Sequence, residues 1–156
     1  MDKKKHLHDY SLLLIFLAVL DVFTFVATVV ASLVDGTVSD ALASVEPDIL
    51  VATKVMLGVF AVLMILLTFA EAFIGFKGLK VCRDPSADKG YIVAAKVFLV
   101  FSVVASVATF VTFFENGVPV VDTAINFANA VLDVFVYAFF IKFANAVRTD
   151  VLTEKK

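Results

Sequence analysis

Four long apolar stretches alternate with short polar segments along the chain. They are Tyr10–Val34, Ile49–Phe76, Tyr91–Phe114 and Asp122–Val147. A helix that crosses the hydrocarbon core of a bilayer needs about 20 predominantly apolar residues, and each stretch meets that length. Because the apolar residues are continuous rather than alternating over about ten positions, the pattern excludes transmembrane β-strands. It predicts four transmembrane helices in a single domain that covers residues 1–156.

The composition indicates an apolar solvent around much of the chain. Hydrophobic residues make up 62% of the sequence, whereas about 45–50% is usual in a soluble domain. The mean hydropathy is correspondingly high, at +1.01. The first stretch, at about 25 residues, exceeds the 7–15 residues of a signal-peptide core, so we expect it to be retained as a helix. We therefore expect a multi-pass protein of the plasma or inner membrane.

The basic residues outside the stretches fall on one side of the predicted topology. They lie in the N-terminal segment, between the second and third stretches, and at the C-terminal end: Lys3, Lys4, Lys5, Lys77, Lys80, Arg83, Lys89, Arg148, Lys155 and Lys156. The other two connections contain acidic residues and neither Lys nor Arg. Because cytoplasmic segments carry the excess of Lys and Arg, this distribution predicts cytoplasmic N- and C-termini. The net charge of −2 and the lack of a basic stripe argue against a nucleic-acid partner.

Polar side chains recur at helical spacing in the first and fourth stretches. We call six of them the predicted polar seam: Asp21, Thr24, Asn126, Asn129, Asp133 and Tyr137. Residues three or four apart share one face of a helix, and polar or small side chains favour contacts between helices inside a membrane. Together with the short connections, this predicts an all-α membrane protein, a compact antiparallel four-helix bundle with the seam turned inward.

Two acidic side chains of the seam fall near the bilayer centre. At a rise of about 1.5 Å per residue, Asp21 lies roughly 2 Å and Asp133 roughly 3 Å from the midpoint of its stretch. Charges at this depth are candidates for function. They could be protonated, share a proton or a metal cation, or line a hydrated cavity. In the structural alternative, each is a neutral acid that hydrogen-bonds to a neighbouring helix.

Three further charged residues lie closer to the predicted cytoplasmic side. Glu71, Lys96 and Lys142 fall roughly 10–13 Å from the centres of their stretches, at matching depth. We expect Glu71 to form an ion pair with Lys96 or Lys142. Both lysines could also extend toward the headgroups.

The chemistry of the remaining residues gives no indication of catalysis. The only histidines, His6 and His8, precede the first stretch, and Cys82 is the single cysteine. We expect no enzyme activity and no cofactor. The leading hypothesis is a small protein that handles protons, cations or a small solute at its midplane carboxylates. The alternative is a non-catalytic accessory or scaffold protein that binds partner helices or lipid. The expected partners are lipid, further copies of the chain, or another membrane protein.

Overall fold

Four long helices make up the protein in the computed structural model. They are α1 (Lys3–Val34), α2 (Pro47–Arg83), α3 (Gly90–Thr112) and α4 (Val120–Glu154). The structure describes residues 2–34, 36, 43, 47–86, 88–112 and 120–154. All four helices are long and apolar enough to cross a membrane, and no strand occurs in the described ranges. The predicted all-α membrane fold with four spanning helices is therefore confirmed.

Three of the helices extend several residues beyond the apolar stretches that predict them. α1 begins at Lys3, α2 continues to Arg83, and α4 continues to Glu154. Hydropathy marks only the part of a helix that hydrocarbon can surround, whereas backbone hydrogen bonding continues into the polar interface. Lys80 and Arg83 lie in the last turn of α2, where positive charge is favourable beside the helix dipole.

The helices divide between two compact units. The first, which we call the four-helix unit, comprises Met1–Ile15 and Phe73–Lys156 and contains segments of all four helices. The second, the two-helix unit, is Phe16–Ala72 and contains the remaining parts of α1 and α2.

The four-helix unit is an antiparallel bundle. The Lys3 ammonium at the start of α1 donates to the Asp150 carboxylate near the end of α4, at 2.7 Å. The Cys82 thiol near the end of α2 donates to the Lys4 carbonyl at 3.5 Å. The start of α1 and the ends of α2 and α4 therefore meet at one end of the bundle, as the predicted topology requires. The assignment of that end to the cytoplasm stays a prediction.

Glycine allows α2 to approach α1 closely in this unit. A Cβ atom built on Gly75 would lie 2.8 Å from the Ser11 carbonyl oxygen and 2.7 Å from Ile15 Cγ1. A Cβ atom on Gly78 would overlap the Ser11 hydroxyl and would lie 2.7 Å from Phe140 Cε2. Small residues permit this close packing of helix backbones in membrane proteins. The buried Ser11 hydroxyl donates to the Leu7 carbonyl at 2.6 Å, so its polar group is satisfied within α1.

Aromatic contacts join α3 to α4 along their length. The ring centroids of Phe98 and Tyr137 are 5.7 Å apart, and Tyr91 meets Phe140 edge to face at 6.0 Å. Phe140 is completely buried. Aromatic pairs at such separations contribute about 0.5–1.5 kcal/mol beyond the burial of their area. These contacts hold α3 antiparallel to α4.

The two-helix unit has little buried surface of its own. Large apolar side chains such as Phe23, Met56 and Phe69 are more than half exposed. Its Thr53 and Thr68 hydroxyls donate to carbonyls four residues earlier, at 3.1 Å and 2.9 Å. These two hydroxyls are thus satisfied within their own helix, and the exposed apolar side chains are suited to contact with lipid.

Candidate functional site

Two carboxyl groups form a hydrogen-bonded pair in the two-helix unit. Asp21 on α1 and Glu71 on α2 lie within hydrogen-bonding reach of each other. Glu71 is only 6% exposed, whereas Asp21 is exposed. Two ionised carboxylates have no proton to donate, so this bond requires that one of the two groups keeps its proton. Glu71 is the more deeply buried member of the pair, and Asp21 is the more exposed one. We call these two residues the carboxyl pair.

The contact between Asp21 and Glu71 brings these side chains closer in level than the midpoints of their apolar stretches suggest. The midpoints of the apolar stretches put Asp21 roughly 2 Å from the bilayer centre and Glu71 roughly 10–13 Å away. In the structure the two side chains meet, so they lie at one level of the helix pair. The alignment of two antiparallel helices is determined by the side chains that interdigitate between them. The midpoints of their apolar stretches therefore need not lie opposite each other.

A pocket of about 420 Å³ adjoins Asp21 between α1 and α2. Its walls are largely aliphatic and aromatic side chains, among them Val22, Phe25, Val26, Met64, Ile65 and Phe69. Of the residues that line it, only Asp21 is ionisable. Thr68 also lines the pocket, but its hydroxyl donates to the Met64 carbonyl. The lining is therefore almost entirely apolar, and Asp21 is its one ionisable residue.

The carboxyl pair can exist in more than one protonation state. With one proton it carries a single negative charge, and the shared hydrogen bond stabilises that state. With two protons it is neutral and better suited to hydrocarbon.

The other residues of the predicted polar seam are divided between the two units. Thr24 is exposed on α1 of the two-helix unit. On α4 of the four-helix unit, Asn126 and Asn129 are exposed, and Asp133 is half-buried. Tyr137 is only 2% exposed and packs against Phe98. The meeting of Asp21 with Asp133 across the seam stays a prediction, since the two residues belong to different units.

The predicted inner ion pairs are divided in the same way. Glu71 belongs to the two-helix unit, while Lys96 and Lys142 are exposed residues of the four-helix unit. The Lys142 ammonium lies 5.8 Å from the ring centroids of both Phe139 and Phe143. Such cation–π contacts contribute about 0.5–1 kcal/mol at exposed sites. Pairing of either lysine with Glu71 stays a prediction.

Sequence reasoning missed the pairing of Asp21 with Glu71, although the necessary signal was present. Asp21 shares a helix face with Ala18, and Glu71 shares one with Thr68 and Gly75. Matching these two small or polar faces as antiparallel neighbours brings the acids together. The depth estimate instead placed them in separate groups.

The described residues contain no cluster of three or more His, Cys, Asp or Glu side chains that could hold a metal ion. Comparison with models of known families, with curated proteins and with solved structures finds no match for this chain.

Proposed function

We propose that this protein handles protons together with a cation or a small solute in the cell membrane, and that the carboxyl pair is the proton-binding site. The observation that carries the proposal is the hydrogen bond between Asp21 and Glu71, in a helix pair surrounded by exposed apolar side chains. The distribution of Lys and Arg further favours an orientation with both termini in the cytoplasm.

The energetics support a role beyond packing. An Asp at the centre of a membrane helix costs about 2.5–3.5 kcal/mol on an insertion scale. Two acids on neighbouring helices would raise that cost unless they share a proton. Acidic residues inside a membrane commonly mark ion pathways and proton relays. Asp21 also lines a pocket large enough for a small molecule, and the proposal couples occupancy of that pocket to protonation of the pair.

Proton movement into liposomes tests the proposal. Purified protein is reconstituted with an internal pH dye, and a pH step is applied with candidate cations on one side. We expect Asp21→Asn and Glu71→Gln to fold normally and to abolish the protein-dependent pH change. Asp150→Asn is the matched control, because Asp150 is a half-exposed carboxylate that pairs with Lys3. Flux that persists unchanged in both pair variants contradicts the proposal.

Asp133→Asn provides a separate test of the predicted seam. We propose that Asp133 belongs to the proton-handling seam that the sequence predicts, so its amide variant should retain only part of the flux. Flux at the wild-type level would remove Asp133 from the pathway while leaving the carboxyl pair in place.

The second candidate function is that of an accessory protein that associates with membrane helices, including further copies of itself. The exposure of Asn126 and Asn129 on the spanning helix α4 favours this function. Hydrocarbon offers no partner to an amide, whereas an Asn on a facing helix can both donate and accept. In this case Asn126→Leu with Asn129→Leu should abolish cross-linking between chains. Asp21→Asn should then have little effect, and Asp21→Leu should disturb assembly.

A further inference from the structure

We propose that the pocket between α1 and α2 binds an amphipathic organic monocation, whose positive charge lies beside Asp21 and takes the place of one proton of the carboxyl pair. This inference rests on the proposed function and names the class of solute that the same site takes.

The size and lining of the pocket favour an organic ligand with an apolar body. At about 420 Å³, the pocket lies within the range of roughly 300–1,000 Å³ that is usual for small-molecule sites. Val22, Val26 and Ile65 offer it aliphatic surface, and Phe25 and Phe69 offer aromatic rings. Aromatic faces attract organic cations as well as apolar groups.

The charge of the site selects a cation. Asp21 is the one ionisable residue in the lining, and it is hydrogen-bonded to Glu71. An anionic ligand would be repelled by this carboxyl group once it ionises, and a neutral ligand would gain no ionic attraction from it. A hard metal cation would need several oxygen ligands, whereas the apolar walls provide few. An organic cation with a delocalised or shielded charge is attracted to the carboxylate and does not need several oxygen ligands.

The exchange balances in charge and in protons. In the doubly protonated state the carboxyl pair is neutral. Binding of a monocation releases one proton to water, and the remaining proton stays in the hydrogen bond between the two carboxyl groups. The occupied site is again neutral overall, so neither state leaves an uncompensated charge in hydrocarbon.

No other described ionisable group of the two-helix unit lies close to this exchange. Besides Asp21 and Glu71, the described side chains of that unit include one ionisable residue, Lys54. It lies on α2 about 25 Å from Glu71 along the helix axis, at about 1.5 Å per residue. Within the described part of that unit, the proton balance is assigned to the carboxyl pair.

Equilibrium dialysis of the purified full-length protein in detergent tests the proposal, with tetraphenylphosphonium as the probe. This cation has a fixed charge, so any pH dependence belongs to the protein. We expect saturable binding, release of about one proton per bound cation, and affinity that falls by about tenfold per pH unit where the pair takes up its second proton. Tetraphenylborate, of similar shape and opposite charge, should bind at least 100-fold more weakly.

Two variants test separately the contribution of the Asp21 charge and that of the free volume of the pocket. Asp21→Asn should abolish tetraphenylphosphonium binding, whereas Asp150→Asn should leave it unchanged. Val26→Phe adds bulk at an exposed position of the pocket wall. It should weaken tetraphenylphosphonium binding at least tenfold. Equal binding of the two probes, or full binding by Asp21→Asn, overturns the inference.

The same measurements keep this inference apart from the proposed function. If the probe does not bind, while proton flux still depends on Asp21 and Glu71, the solute class is wrong and the proton-binding site stands. If flux is indifferent to both residues, the proposed function fails as well.

Discussion

A methyl group added at Gly75 should loosen the contact between α1 and α2. In Gly75→Ala, the new Cβ atom would lie 2.8 Å from the Ser11 carbonyl oxygen and 2.7 Å from Ile15 Cγ1. The Ile15 side chain can rotate away, but the Ser11 oxygen belongs to the backbone of α1, so the two helices must separate locally. Gly58→Ala is the matched control, because a Cβ atom at Gly58 has no neighbour within 4 Å.

The two variants together isolate the steric cost. Alanine is favoured over glycine in a helix interior by about 1 kcal/mol, and this gain applies to both positions. Overpacking at a tight contact costs about 1–3 kcal/mol. The free energy of unfolding of Gly75→Ala should therefore lie about 1–3 kcal/mol below that of Gly58→Ala. For a chain of this size, such a difference corresponds to a Tm lower by about 2–12 °C.

Cys82 provides the assay. It is the only cysteine of the chain, it is half-buried, and its thiol meets the Lys4 carbonyl at the α1–α2 contact. A fluorogenic maleimide therefore reports the opening of this contact during a thermal ramp in detergent. Gly75→Ala should react faster and at lower temperature than either the parent or Gly58→Ala. Equal labelling rates and equal Tm values for the two variants would refute the assignment of Gly75 to a tight helix contact.

Three further predictions concern the four-helix unit. Phe140→Ala should lower the free energy of unfolding by about 3–5 kcal/mol, since the ring is completely buried. The control, Phe139→Ala, changes a partly exposed position and should lower it less. Equal Tm values for the two variants would contradict the burial of Phe140. Lys3→Gln and Asp150→Asn should each change stability by less than about 1 kcal/mol, because exposed ion pairs contribute little, with a double-mutant cycle in denaturant as the measurement. Ser11→Ala should be nearly neutral, because the hydroxyl bonds only within its own helix; Ser11→Leu should disrupt the contact with α2, seen as faster labelling of Cys82.

The helices could be predicted from the sequence because apolar length alone is diagnostic in a membrane. The extent of α2 could not. Lys77, Lys80 and Arg83 follow its apolar stretch and resemble a connecting loop by hydropathy, yet they continue the helix to Arg83. Polar residues at a membrane interface are compatible with either structure, and packing in the four-helix unit decides between them.

The sequence also did not reveal which apolar side chains are buried. Phe135 and Val136 are adjacent apolar residues, yet they are 57% and 2% exposed. In a soluble protein, exposed positions are mostly polar and buried positions mostly apolar, so the sequence distinguishes them. In a membrane protein both are apolar, because lipid tails are as apolar as a protein interior. The same ambiguity concealed the carboxyl pair. Polarity identified Asp21 and Glu71 separately, and only the pairing of α1 with α2 brings them together.

The ion pair between Lys3 and Asp150 joins residues that are 147 positions apart in the chain. Synthesis at the ribosome is directional, so α1 enters the bilayer long before its partner α4 has been translated. During that interval, the surface of α1 that later contacts α4, including Tyr10 opposite Phe139, has only lipid or another protein beside it. Assembly of the four-helix unit is therefore a late event of biosynthesis, and an insertion factor that shields α1 would act before α4 emerges.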